Sequence, residues 1–107
     1  MAALPVYSSL LIAEAGFTGT ATLEIPAGVV CVVRDIDAVA GLGIGASVWA
    51  YDNAGVKFAA NTFSTVTVTF ALWSWRGRQV LEGPDFLHLS TDAALDIRAS
   101  GYLLNAP

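Results

Sequence analysis

The strongest constraint on the fold of this chain is an alternation of apolar and polar side chains with a period of two. In residues 20–25, Ala21, Leu23 and Ile25 fall on one face, and Glu24 falls with the threonines on the other. Successive side chains of a β-strand point to opposite faces, so this period is typical of strands with one buried face. No stretch with helical periodicity is long enough for a stable helix. The sequence therefore predicts an all-β fold.

Turn-forming residues divide the chain into short segments of this kind. Residues 52–55, with the sequence DNAG, separate two alternating stretches and are typical of a hairpin connection. Residues 65–72 alternate most regularly, with threonines on one face and valines, Phe70 and Leu72 on the other. Many short strands joined by Gly- and Pro-containing turns predict an antiparallel β-sandwich, and a jelly roll needs about eight strands. We therefore predict a jelly-roll-like sandwich with about that number of strands.

Residues 29–39 form the longest strand-like stretch and are apolar on both predicted faces, which indicates a central strand. Arg34, Asp35 and Asp37 interrupt its second half, so we expect a β-bulge or the rim of the sheet there. The glycine-rich residues 41–45 follow directly and supply the backbone freedom for a crossing between sheets.

The composition predicts that this domain associates with other protein surfaces. Hydrophobic residues make up 55% of the chain and charged residues only 13%, whereas an average soluble domain has about 25% charged residues. A domain of this size buries only about 60–65% of its unfolded surface, and large apolar patches left in water mark interaction sites. We predict a single domain over residues 1–107 that self-associates as a trimer or larger ring. Residues 1–9 are a candidate N-terminal arm.

The charge pattern argues against several partners. The net charge is −4, and the five basic residues do not form the basic surface that nucleic acids require. The first basic residue is Arg34, and no apolar run approaches the length of about 20 residues that a membrane helix needs. The single Cys31 lies among valines, as a buried thiol does, and fits synthesis in a reducing cytoplasm. We therefore expect neither nucleic-acid nor membrane binding.

The residues that carry chemistry are too few for a recognisable active site. His88 is the single histidine, so neither a multi-histidine metal site nor a catalytic triad assembles readily. Asp35 and Asp37 share a strand face, which leaves three alternatives: a glycosidase pair, calcium ligands, or a solvated or inter-subunit ion pair, with Arg34 or Arg76 as partner. We favour the ion pair and predict a non-enzymatic protein with no catalytic residue, no metal ligand and no cofactor.

The segment of residues 73–79, WSWRGRQ, is the densest candidate for a binding surface. Alternation places both of its tryptophans on one face and both of its arginines on the other. Tryptophan and arginine are enriched at binding hot spots, although the tryptophans equally suit the core or stacking on sugar rings. A second pair of aromatic residues shares a face of an earlier strand and is a candidate for the same cluster. The candidate interface residues are Trp49, Tyr51, Trp73, Trp75, Arg76 and Arg78.

Three segments resemble a family of small virion proteins from tailed phages of actinobacteria. They are IPAGVVCVVRDIDAV (residues 25–39), WRGRQVLEGPDFLHLST (residues 75–91) and LDIRASGYLL (residues 95–104). The resemblance implies a β-sandwich structural protein with no catalytic residues. It also implies a virion location after synthesis in the bacterial host cytoplasm.

The resemblance and the apolar composition together favour an oligomeric capsid decoration (cement) protein that contacts the major capsid protein. A tail or head–tail connector protein is the alternative within the same family. Two other function classes stay open. One is a carbohydrate- or receptor-binding module in which Trp73, Trp75 and Tyr51 form a stacking platform, and the other is a hydrolase that uses Asp35 and Asp37.

Overall fold

A computed structural model describes residues 9–105, and these residues form an all-β, antiparallel fold. The described range contains no helix, and hence no helix that is long and apolar enough to cross a membrane. Residues 1–8, most of the predicted N-terminal arm, lie outside this range. The six strands are β1 (Ser9–Ile25), β2 (Val29–Gly41), β3 (Ala46–Tyr51), β4 (Lys57–Phe63), β5 (Phe70–Glu82) and β6 (Asp85–Asn105).

The strands form one sheet that curls into a nearly closed barrel. The strand order is β4-β3-β6-β2-β5, and β1 pairs with β6 outside this path. The two end strands β4 and β5 approach each other where Phe58 packs against Trp75, with 5.6 Å between the ring centroids. The sheet thus has two halves, one built on β3 and β4 and the other on β2 and β5, joined by β1 and β6.

Strand β6 bends to serve both halves of the sheet. Its 21 residues would span about 66 Å if straight, at about 3.3 Å per residue, whereas the longest dimension of the molecule is 52 Å. Residues 88–91 of β6 pair with β3, and residues 96–105 pair with β2. β1 follows the bend through register shifts between Glu14 and Gly19, where Gly16 and Gly19 have positive φ angles. Both glycines therefore adopt a conformation that other residues rarely reach.

The prediction of about eight strands is wrong: the described residues form six, because neighbouring segments that the sequence divides join into single strands. Residues 10–16 continue into residues 20–25 as β1. Residues 85–91 and 95–103 likewise form the single strand β6. The sequence predicts that each polar or glycine-containing interruption ends a strand. In the structure the paired strand bends at the interruption and continues beyond it.

The most regular alternation in the sequence, in residues 65–72, does not correspond to one strand. Residues 64–69 connect β4 to β5 without strand structure, and β5 begins only at Phe70. The backbone of Val66 donates to the Ile44 carbonyl at 3.0 Å and accepts from the Gly43 amide at 2.8 Å. These two hydrogen bonds hold the connection against the β2–β3 loop. The buried Val66 side chain covers that end of the core.

Other sequence predictions are confirmed. β2 pairs with β5 on one side and with β6 on the other, so it is a central strand. The register of both pairings shifts between Val33 and Asp35, which is the expected bulge. β3 and β4 form the predicted hairpin around residues 52–55, where the Asp52 carboxylate accepts hydrogen bonds from two backbone amides of the turn.

One hydrophobic core lies between the two halves. Cys31, Val33 and Ile36 of β2 are fully buried, as are Val48 and Ala50 of β3. Burial raises the pKa of the Cys31 thiol to about 11, so this thiol is protonated and inert at neutral pH. Each half buries its inner side chains in this core and has an outer face of its own.

Candidate functional site

The bulge in β2 creates a face on which all four arginines of the chain are exposed. Residues Arg34 and Asp35 both point outward, because the bulge reverses the in-and-out alternation between Val33 and Ile36. Regular alternation exposes the arginines of β5 and β6 on the same side. We call the outer side of β2, β5 and residues 96–105 of β6 the arginine face; its arginines are Arg34, Arg76, Arg78 and Arg98.

Arg76 binds both aspartates of the predicted pair. Its Nε lies 3.2 Å from Asp35 Oδ1, and its Nη1 lies 3.2 Å from Asp37 Oδ1. Ser74 Oγ also donates to Asp37 Oδ1 at 2.6 Å. Partial burial by itself raises the pKa of Asp37, but the hydrogen bonds from Ser74 and Arg76 and the charges of Arg76 and Arg98 outweigh it, so the pKa lies below its ordinary value. The two carboxylates are thus held in an ion-pair network, which is the alternative favoured from the sequence.

The other arginines of this face have no carboxylate within ion-pair distance in the described residues. Arg34 Nε donates to the Gly77 carbonyl at 3.0 Å, and Arg34 Nη1 donates to the Tyr102 hydroxyl at 3.1 Å. Its guanidinium carbon lies 5.7 Å from the centroid of the Tyr102 ring. Within residues 9–105, Arg78 makes no side-chain hydrogen bond or ion pair. Arg34 and Arg78 therefore have no directly bonded carboxylate beside the bulge, although Glu82 and Asp96 are exposed on the same face.

Exposed apolar side chains lie at the far end of the same face. Phe70 and Leu72 point outward from β5, on the side of the strand that carries Arg76. Gly41 pairs with Phe70, so the β2–β3 loop contributes a further side chain beside them. Four side chains, each between 59% and 67% exposed, make up this apolar end: Leu42, Val68, Phe70 and Leu72.

Trp73 and Trp75 point inward from β5 and pack, half-buried, against the core. The Trp75 ring lies over Gly77, where a Cβ atom would come within 2.5 Å of it. Gly77 thus leaves room for the indole ring, which also contacts Phe58 of β4. Both tryptophans fill the gap at the near-closure of the barrel, and this is the core-filling alternative considered from the sequence.

Trp49 and Tyr51 lie on the opposite side of the molecule, which we call the aromatic face: the outer side of β3, of residues 85–91 of β6 and of residues 20–25 of β1. The Tyr51 ring stacks on His88 with 4.9 Å between centroids, and Phe86 stacks on the same imidazole at 5.9 Å. Lys57 Nζ lies 5.4 Å from the Trp49 ring centroid.

Hydrogen bonds link the strands across the aromatic face. The hydroxyls of Thr20 and Ser90 are 2.7 Å apart, and those of Tyr51 and Ser90 are 3.0 Å apart. His88 Nδ1 lies 2.9 Å from the Thr22 hydroxyl. These contacts follow the strand register, because Thr22, His88 and Tyr51 form one row across three strands. The polar groups of this face thus bond mainly to one another.

The six candidate interface residues therefore do not form one surface. Trp73 and Trp75 face the core, Arg76 and Arg78 belong to the arginine face, and the pair from β3 belongs to the aromatic face. The expectation that Trp49 and Tyr51 join the cluster of Trp73 and Trp75 is wrong, and so is a platform made of Trp73, Trp75 and Tyr51.

Sequence reasoning misses the apolar end, although the signal is present. Residues Phe70 and Leu72 have the same strand parity as Arg76 and Arg78, and this parity places them outside. Their size and apolar character point instead to the buried face. An arginine on the same face of the same strand indicates the exposed face better than the apolar character of Phe70 and Leu72 indicates the buried one.

The structure brings together no recognisable catalytic arrangement. Residues 9–105 contain no group of three or more His, Cys, Asp or Glu side chains suited to hold a metal ion. An open depression of about 450 Å³ lies beside β1 and is lined by charged residues that include Glu14, Asp37, Asp96 and Arg98. One of these, Asp96, accepts a hydrogen bond from the Gly16 amide at 2.8 Å, so it serves the bend of β1.

No family model, no curated protein and no solved structure matches this chain. A function for this chain must therefore be inferred from its surfaces.

Proposed function

We propose that this chain is a non-enzymatic structural component of a tailed-phage virion, specifically an oligomeric capsid decoration protein that stabilises the head. The observation that carries the proposal is the apolar end, where Leu42, Val68, Phe70 and Leu72 are exposed together. Exposed apolar patches of this kind mark surfaces that another protein covers. The resemblance of residues 25–39, 75–91 and 95–104 to actinobacterial phage virion proteins supplies the biological setting.

Burial of this patch gives a sufficient driving force for association. Complete burial of one Phe or Leu side chain contributes roughly 1.5–3 kcal/mol. Folded domains are stable by only about 5–15 kcal/mol, so the side chains of the apolar end are significant on that scale. A decoration protein of this kind stabilises a capsid because it binds the assembled state and shifts the equilibrium towards it.

The finer description of the fold belongs to this proposal. We propose that the two halves of the curled sheet pack as the layers of a sandwich, the arrangement that the resemblance implies. The shared core between β2 and β3 supports such a packing. Two broad outer faces then become available for contacts with neighbouring subunits.

Light scattering of the purified chain tests association directly. We expect a mass of several chains for the wild type, and a shift towards one chain for the double variant Phe70→Ser/Leu72→Ser. The matched control is Val56→Ser, because Val56 is 62% exposed but lies in the β3–β4 turn. An unchanged mass in the double variant would show that the apolar end is not the contact.

Co-sedimentation with separated heads and tails of the encoding phage tests whether the chain binds the head or the tail of the particle. Binding to heads alone supports decoration, and binding to tails alone supports the tail or connector alternative. A monomer that binds neither particle would contradict the proposal.

A glycan-binding role is a second candidate, and it depends on Trp49 and Tyr51, which point outward. Tyr51, His88 and Phe86 stack on one another, so their ring faces are partly occupied by their neighbours. Trp49 has Lys57 over one face of its ring, so a sugar ring would stack on the other face of Trp49. Saturable quenching of tryptophan fluorescence by a host glycan, lost in Trp49→Phe, would favour this role, and no quenching at millimolar glycan would reject it.

A further inference from the structure

The arginines of this chain all lie on one outer face, whereas its carboxylates are divided between both faces: Asp35, Asp37, Glu82 and Asp96 share the arginine face. All four arginines belong to the arginine face, where Arg76 is engaged by Asp35 and Asp37. The half built on β3 and β4 has a single cation among the described residues, Lys57, which lies over Trp49. The carboxylates of that half are Glu24, Asp52, Asp85 and Asp92.

Three of these carboxylates lie around the start of β6. Glu24 pairs with Phe86 and Ile25 pairs with Asp85, so Glu24 and Asp85 are one register position apart and alternate between the two sides of the sheet. The β3–β4 turn reaches the same place, because the Asn53 amide donates to Asp85 Oδ1 at 3.1 Å. We call Glu24, Asp52 and Asp85 the acidic end. Glu24 is exposed and has no side-chain partner within residues 9–105.

The positive counterpart is the pair Arg34 and Arg78 beside the bulge. Arg34 is held in place by the Gly77 carbonyl and by the hydroxyl of Tyr102. A side chain that is already ordered loses less conformational entropy when it binds a carboxylate. Arg78 is exposed next to it and free of any carboxylate in the described residues. The ordered Arg34 guanidinium and the exposed Arg78 guanidinium therefore form a pair of hydrogen-bond donors for an acidic surface.

We propose that Arg34 and Arg78 of one copy dock onto the acidic end of a second copy of this chain. The contact joins two different surfaces of the chain, so a head-to-tail arrangement leaves each copy one free surface of each kind. A head-to-tail contact generates a ring if the rotation between copies closes and a filament if it does not. The inference rests on the proposed assembly function and names its partner surface; the apolar end, at the far end of the arginine face, is a separate contact.

Charge exchange between the two surfaces provides the test. Arg78→Glu and Glu24→Arg change exposed side chains that make no side-chain hydrogen bond in the described residues. We expect each variant alone to associate about tenfold more weakly than the wild type, because like charges then face each other. An equimolar mixture of the two variants restores association, since the new glutamate of one variant meets the new arginine of the other and the unaltered surfaces also meet. Light scattering at low salt, with circular dichroism as a check on folding, measures both effects.

Glu14→Arg is the matched control, because Glu14 is an exposed acid on β1 outside both surfaces. This variant should associate as the wild type does. Association of the wild type should also weaken as salt is raised, because a short Debye length screens exposed charges.

The outcomes separate this inference from the proposed function. If Phe70→Ser/Leu72→Ser dissociates the oligomer while both charge variants assemble normally, the head-to-tail contact is wrong and assembly stands. If the mixture fails to recover association that each single variant has lost, the pairing of these two surfaces is wrong. A wild-type monomer that binds phage heads overturns the self-contact but keeps decoration, whereas a monomer that binds neither heads nor tails overturns both.

Discussion

The aromatic face and the arginine face cover the same core, but they differ in how their groups are satisfied. On the aromatic face, hydroxyls and rings of three strands bond and stack in register, as with Tyr51, His88 and Thr22. On the arginine face, a bulge interrupts the register, Phe70 and Leu72 are exposed, and three of the four arginines lack a carboxylate within ion-pair distance among the described residues. Polar groups that already hydrogen-bond to one another gain little free energy when a partner protein covers them. The arginine face is therefore where a protein contact changes the free energy most.

The largest effect should come from the backbone beneath the arginine face. Gly101 of β6 is buried beside β2, and a Cβ atom there would collide with the Val32 carbonyl, which a rigid strand cannot move aside. We expect Gly101→Ala to lower the free energy of unfolding by about 3 kcal/mol. Urea denaturation measures this change. Gly41→Ala is the control, because nothing lies within 4 Å of a Cβ atom there; equal effects of both variants would contradict the explanation.

A smaller loss should follow when the indole ring at the barrel closure is displaced. In Gly77→Ala the added methyl group meets the Trp75 ring, which is confined by Phe58. We expect a destabilisation of about 2 kcal/mol and a red shift of tryptophan emission as the ring moves towards water. If stability and emission both stay unchanged, Trp75 is not tightly packed and the inner side of β5 is looser than described.

Matched serine variants compare the two faces directly. Ser90 of the aromatic face is buried and lies within hydrogen-bond distance of the hydroxyls of Thr20 and Tyr51. Ser74 of the arginine face is exposed and donates one hydrogen bond to Asp37. We expect Ser90→Ala to cost about 1.5 kcal/mol and Ser74→Ala about 0.5 kcal/mol in thermal or urea unfolding. If Ser74→Ala proves more destabilising than Ser90→Ala, the two faces do not differ in how fully their polar groups are hydrogen-bonded.

The smallest effect concerns pH. The pKa of Asp37 is lowered in the folded state, so its ion pair adds stability above the unfolded pKa, and this stability is lost as pH falls through the folded pKa. Because the pair is partly exposed to solvent, we expect only ~0.5 kcal/mol. Asp37→Asn should therefore be less stable than the wild type at pH 7 and nearly equal to it at pH 2. A constant difference between the two proteins at both pH values would show that charge is not the cause.

Local features of this protein could be predicted from its residues alone. A period of two indicated the all-β class, DNAG indicated the β3–β4 hairpin, and the polar residues after Val33 indicated the bulge. The sequence also favoured an ion pair of Asp35 and Asp37 with Arg34 or Arg76, and Arg76 is the partner in the structure. The fold class, the hairpin and the bulge depend on neighbours along the chain or on the steric requirements of a single strand or turn, whereas the choice of Arg76 depends on the pairing of β2 with β5.

Which face of each strand lies inside depended instead on the packing of the whole sheet. Alternation says that Trp73 and Trp75 share a face and that Phe70 and Leu72 share the other, but both sets are apolar, so hydrophobicity alone does not choose between them. The choice follows from Gly77, which makes room for the indole ring, and from Phe58 of the opposite end strand. The number of strands was settled in the same way, because β1 and β6 stay continuous only by bending together around a core that both halves of the sheet supply.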